Sequence, residues 1–286
     1  MPINSILSTV TPADVSATDV QYFSLDENIL AGPILVIFVA MFIPIVACFF
    51  IDRGVKTGIY PFVAGGITAT VLYILQQAAF LLVSLLIPTA TVPTAVNIIV
   101  TLLLECAVVY GTYWSMRLFR KHYPQTGHGV SFMLGYSFIE LTMQVVLPAM
   151  VTVMATYSLL SKVQSGGQFT EDEMLAVMGV GSLSLSNYLA SCVNCIIWMI
   201  AKAGVGVMLW LPATREDADK SLLAAIGCGA AVSVPSIINR LVGINDWLSV
   251  GLFALITVGI WFAAVRIQGA YIDNPLRAPL KKRAKK

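Results

Sequence analysis

Charge is what this sequence has least of. Of its 286 residues only 11% are Asp, Glu, Lys or Arg, where a soluble domain of ordinary composition carries about a quarter. The shortage excludes a water-soluble globule, and there is too little water-facing sequence left for a separate soluble domain. A formal net charge of +2 gives no electrostatic footing to a nucleic-acid partner. Histidine is nearly absent, with His122 and His128 the only two. No Lys or Arg precedes Arg53, so the positive segment that opens a cleaved secretory signal is missing. The five cysteines (Cys48, Cys106, Cys192, Cys195 and Cys228) all fall in apolar runs. They read as small membrane-embedded residues rather than a disulfide framework.

What is present is apolar sequence in long runs. Hydrophobic residues make up 58%, the mean hydropathy is +0.84, and the few charges gather in clusters between the runs. That pattern predicts an all-α, polytopic transmembrane protein of about seven spans. The expected crossings are residues 29–51, 59–87, 96–116, 130–157, 184–206, 222–242 and 247–265. Each is long enough to cross ~30 Å of hydrocarbon at ~1.5 Å per residue. Met174 to Leu211 is too long for one span and too short for two, so its first half is read as an amphipathic or tilted extension. The expected organisation is an acidic extracytoplasmic segment 1–28, a membrane domain 29–266 and a basic cytoplasmic tail 267–286.

Counting basic residues in alternate loops gives an orientation. One face receives Arg53, Lys56, Arg117, Arg120, Lys121, Arg215, Lys220 and the tail with Lys281, Lys282, Arg283, Lys285 and Lys286. The other receives the acidic N-terminus, the uncharged 89–94 stretch, Lys162 and Arg240. The positive-inside rule therefore predicts a multi-pass protein of the cell membrane with its N-terminus outside and its C-terminus in the cytoplasm. An odd number of spans requires those opposite ends.

Two carboxylates interrupt the apolar runs, Glu105 in the third span and Glu140 in the fourth. A charge at the bilayer centre costs about 2.5–3.5 kcal/mol on insertion scales, so such a side chain turns toward protein. Both lie ~15–16 Å from the same membrane face, counted at the helical rise, and adjacent antiparallel helices can bring them level. Held close, the two cannot both stay ionised unless a cation sits between them. The pair is therefore a candidate site for a metal, a proton or a cationic group. The plainer reading is a single glutamic acid that hydrogen-bonds a neighbouring helix.

Other polar residues carry less. Asn194, near the middle of the fifth span, can supply an oxygen or an interhelical hydrogen bond, and Gln76 and Gln77 satisfy helix contacts. Cys192 and Cys195 form a lone C-x-x-C on one helix face, without the second pair or histidines of a metal site. Arg240 snorkels to the outer interface. Pro148 and Pro235 are expected to kink their helices, while Gly65–Gly66 and Gly227-x-Gly229 allow close packing. His122 and His128 read as solvated loop histidines.

The stretch from Glu105 to Tyr110, a basic loop, and Gly135 to Glu140 together resemble the YhfC family. Its members are membrane proteins grouped with CAAX-type intramembrane metallopeptidases and with the gamma-secretase subunit APH-1. Glu105, Tyr110, Gly135 and Glu140 stand where that family's motif has the same residues. Cys106 replaces its second glutamate, Val109 its arginine and Tyr136 its helix histidine. The resemblance implies a membrane-peptidase fold, with Glu105 and Glu140 as the catalytic carboxylates and zinc ligands. The substitutions leave too few donors for a zinc hydrolase, which takes about three protein ligands and an open position for water.

Three expectations follow. The first is a non-catalytic scaffold that holds a transmembrane helix or lipid-like partner in a groove around Glu105, Cys106, Tyr136, Glu140 and Asn194. The second is an active metalloprotease with altered ligands. The third is a small proton- or cation-coupled transporter that uses the Glu105/Glu140 pair.

Overall fold

In hydrocarbon a backbone N–H or C=O has no water to bond, so an apolar run must satisfy its own backbone, and a helix does this within one segment. The computed structural model shows that outcome throughout. It describes residues 30–55, 57–86, 94–119, 126–164, 184–214 and 219–272, and among them there is no strand. The helices are α1 (Ala31–Val55), α2 (Tyr60–Leu86), α3 (Thr94–Phe119), α4 (Thr126–Leu141), α5 (Leu147–Gln164), α6 (Leu185–Thr214), α7 (Asp219–Ala231), α8 (Val234–Val242) and α9 (Asp246–Ile272). Seven stretches among the described residues are long and apolar enough to cross a membrane. The chain is an all-α transmembrane protein.

Several boundaries differ from those expected. The fourth crossing is a 36-residue stretch, Gly127–Lys162, in which a π turn over Thr142–Val146 joins α4 to α5. The Leu147 N–H bonds the Thr142 carbonyl across that turn. Pro148 follows directly and has no N–H to give, so the widened turn sits where the α-helical ladder would be broken anyway. Pro235 does more than kink its helix. The sixth run is interrupted at Val232–Ser233, where Ser233 N–H bonds the Ala230 carbonyl at 3.1 Å, and Pro235 lies in the first turn of the new helix α8. Gly243 closes α8 at φ +65°, donating its N–H to Asn239 at 2.9 Å. The fifth crossing, α6, runs on to Thr214 rather than stopping near 206, and α9 takes in residues 267–272 that composition assigned to the tail. The acidic segment 1–28, the extension over 174–183, His122 and the basic residues of 273–286 lie outside the described residues.

The chain divides into two compact units, one of Met1–Ile43 with Leu141–Ile196, the other of Pro44–Glu140 with Ile197–Lys286. In the first, α1 meets the start of α6 at Gly32. A Cβ built there would fall 2.2 Å from the Tyr188 ring, so only glycine lets the two approach.

The second unit holds the larger core. Its centre is the latter part of α6, where every residue from Ala201 to Ala213 is buried and Lys202 alone is charged; a helix buried all round belongs inside its bundle. Trp210, Met208 and Leu209 of α6 pack with Met116 of α3 and Phe132 of α4. Backbone contact brings α2 onto α4: a Cβ on Gly65 would lie 1.8 Å from the Phe132 carbonyl oxygen, and one on Gly135 would lie 1.8 Å from that of Phe62. This reciprocal glycine pair is the membrane form of small-residue packing. α3 also lies along α2 and α7. These contacts carry Gln76, Glu105 and Glu140 toward the same interior.

A buried lysine between two carboxylates

The candidate site grows out of helical spacing. Trp198 and Lys202 are four residues apart on α6, and Tyr136 and Glu140 are four apart on α4, so each pair shares a face. The two faces meet. Lys202 Nζ lies 3.2 Å from Glu140 Oε1, with side-chain exposures of 3% and 9%. Trp198 Nε1 donates to the other oxygen, Oε2, at 2.9 Å. Both oxygens of Glu140 are therefore engaged, one by a cation and one by an indole.

Aromatic rings enclose the ammonium. Its nitrogen is 4.8 Å from the Trp198 ring centroid and 5.5 Å from that of Tyr136, within the range in which a ring face attracts a cation. Phe253 of α9 packs edge-on against Trp198 with centroids 5.7 Å apart, which fixes the indole that holds Glu140. Ser137, beside Tyr136, is fully buried, and its hydroxyl has no hydrogen-bond partner among the described residues. A buried polar group left open in this way is rare enough to mark a polar locality.

Glu105 completes the group from α3. It is half-buried and lies within electrostatic reach of Lys202 and Glu140, with the Gln76 amide of α2 beside it. The cluster thus sets two carboxylates against one ammonium. Their formal charges sum to −1, a deficit that one further proton or monovalent cation neutralises. The two carboxylates are not equivalent, because Glu140 has a donor on each oxygen, Lys202 and Trp198, while Glu105 has only the neutral amide of Gln76 beside it.

The structure therefore gathers Glu105, Glu140, Tyr136 and Gln76 in one unit. Cys106, next to Glu105, is a half-buried free thiol. Asn194, Cys192 and Cys195 belong to the other unit, where both cysteines are buried free thiols. Tyr110 of the motif is 46% exposed, its ring 5.9 Å from that of Tyr113. His128 is a correction: it is a buried residue in the first turn of α4, its ring 6.2 Å from that of Trp210. The physical reason is Gly129, whose missing side chain lets the Trp210 Cβ approach, so the Gly-His-Gly triplet is packed helix rather than loop.

Lys202 itself escaped the reading of the sequence, which treated the fifth run as an uninterrupted apolar crossing. The signal was there. A lone lysine inside a membrane run demands a buried partner, and the tryptophan one turn earlier is its natural neighbour.

Among the described residues no three His, Cys, Asp or Glu side chains come together as a metal site, and a lysine ammonium already occupies the space beside Glu140. Zinc centres take three or four N, O or S ligands, and a neighbouring ammonium opposes a divalent ion. The residues do not fit a zinc centre, and no hydrolytic step follows from them.

No family model, curated protein or solved structure matches the chain.

Proposed function

We propose that this protein is a small multi-pass carrier, or the membrane subunit of one, that loads a proton or monovalent cation at the Glu105–Lys202–Glu140 cluster. The observation that carries the reading is the unequal charge count: a buried lysine paired with one carboxylate while a second stands within electrostatic reach. Glu140 is the standing counter-ion of Lys202. Glu105 is the loading group, since taking up one positive charge there balances the cluster without breaking the pair. Ionisable residues inside a membrane domain commonly mark proton and ion pathways. In this reading the protein sits in the cell membrane with its basic face in the cytoplasm.

Trp198 provides the test. Its indole bonds Glu140 and faces Lys202, so its emission should report changes in charge at the cluster. The difference in tryptophan emission between the wild type and Trp198→Phe, followed against pH in detergent, should show a transition that disappears in Glu105→Gln. In proteoliposomes with an imposed pH gradient and an entrapped dye, proton flux should be lost in the same variant. If Trp198 emission is indifferent to pH and flux survives Glu105→Gln, the carrier reading is wrong.

A second reading, the scaffold, draws on the donors held by both Glu140 oxygens and the full burial of Ala201–Ala213. A closed ion pair in a dry core serves to fix helix register. The same experiment separates the two, because a scaffold predicts no pH-linked emission change and no flux.

A further inference from the structure

Three arginines in the C-terminal parts of their helices repeat one arrangement. The Arg53 guanidinium, in the last turn of α1, lies 5.1 Å from the Phe49 ring centroid. Arg117, in the last turn of α3, lies 5.5 Å from Trp114. Arg266, toward the C-terminal end of α9, lies 5.2 Å from Phe262. Each ring precedes its arginine by one helical turn, on the hydrocarbon side, and is itself exposed: Phe49 58%, Trp114 48% and Phe262 63%.

All three pairs belong to the larger unit. α1, α3 and α9 form the first, third and seventh of the crossings, so their C-terminal ends emerge on one face of the membrane. Among the described residues none of these arginines has a carboxylate within ion-pair distance. Asp52, beside Arg53, is occupied, accepting the Gly58 N–H at 2.5 Å. The described residues show no such arginine–aromatic pair at the opposite helix ends.

The chemistry of the pair selects its partner. The ring covers one face of the guanidinium and holds it at the level where the hydrocarbon ends, as interfacial aromatics do. A ring on one face leaves the N–H edge of the fork able to meet a phosphate in two parallel hydrogen bonds. A zwitterionic headgroup brings its own ammonium to that phosphate, and an anionic one does not. The geometry points to three discrete binding sites for anionic phospholipid on this face, at Arg53–Phe49, Arg117–Trp114 and Arg266–Phe262. The inference is independent of what the buried cluster does.

Native mass spectrometry of the purified full chain, exchanged into micelles containing either phosphatidylglycerol or phosphatidylcholine, tests it. The wild type should retain phosphatidylglycerol over phosphatidylcholine. Each of Arg53→Gln, Arg117→Gln and Arg266→Gln should weaken one site about fivefold. The ring variants Phe49→Leu, Trp114→Leu and Phe262→Leu keep the charge and should weaken the same sites about two- to fivefold; they serve as the check if an arginine variant fails to fold. Equal retention of the two lipids overturns the proposal, as does unchanged retention in the Arg53→Gln/Arg117→Gln/Arg266→Gln triple variant. Displacement of the lipid by inorganic phosphate alone would also overturn it, reducing the sites to simple anion contacts.

Discussion

Removing Lys202 should damage this protein more than removing either of its carboxylates. Lys202 and Glu140 are a buried pair, with exposures of 3% and 9%. Deleting one partner of such a pair costs about 3–5 kcal/mol, because the other is left charged and desolvated. Glu105 makes the two deletions unequal. In Glu140→Gln, Lys202 keeps a carboxylate within reach and the new amide still accepts the Trp198 N–H, so the loss should fall at or below the low end of that range. In Lys202→Met, two carboxylates face one another with no cation, and like charges at close quarters add to the desolvation cost; the loss should reach the upper end. The Lys202→Met/Glu140→Gln double variant should recover most of it, since replacing both partners of a buried pair is often neutral. The assay is thermal unfolding in one detergent, read as the ranking of midpoints across the three variants and Lys202→Met/Glu105→Gln. The reasoning is refuted if Lys202→Met is no less stable than Glu140→Gln, or if the double variant simply adds the two losses. The pair would then not be the electrostatic unit described here.

The glycine contacts give a sharper steric prediction. Gly65→Ala and Gly135→Ala each put a methyl 1.8 Å from a carbonyl oxygen, which no side-chain movement relieves, so neither variant should yield folded protein by gel filtration. Gly259→Ala, where nothing lies within 4 Å, should fold normally and gain up to about 1 kcal/mol from helix propensity. His128→Ala should lower the unfolding midpoint by removing a buried ring from Trp210, at a cost of about 1–3 kcal/mol for lost burial. A solvated loop histidine would cost nothing measurable, so an unchanged midpoint would contradict the packed position.

The architecture was legible because hydrocarbon imposes so few solutions. Runs of some twenty apolar residues closed by Arg53 and Arg117 had to be helices, and each is one. What composition could not place were events inside a run. The π turn at Thr142–Val146 leaves hydropathy unchanged, and the break at Val232–Ser233 is announced only by Pro235, a residue that membrane helices often absorb. His128 was misplaced for a related reason: polar type suggested a loop, while the decisive fact was the absence of a side chain at Gly129. Glycine as a packing residue shows itself only when the opposite helix is known.

The candidate site was half legible. Glu105 and Glu140 stood out because a carboxylate in an apolar run has no innocuous explanation, and equal depth on adjacent helices suggested that they meet. Treating them as a pair that needed a cation framed the right question and left the answer outside the sequence motif. The cation is Lys202, supplied two helices away in sequence by the most deeply buried helix segment of the larger unit. That changes what the cluster can do. Two carboxylates alone invite a divalent metal, whereas two carboxylates around a lysine repel one and lack only a single positive charge. Both Glu140 oxygens already have donors, so the proposed carrier takes that charge at Glu105, and in that reading the cluster has two charge states without losing its ion pair. A purely structural bridge has no use for the second carboxylate. Its presence, at a cost the membrane makes high, is the strongest reason to look for a loading step here.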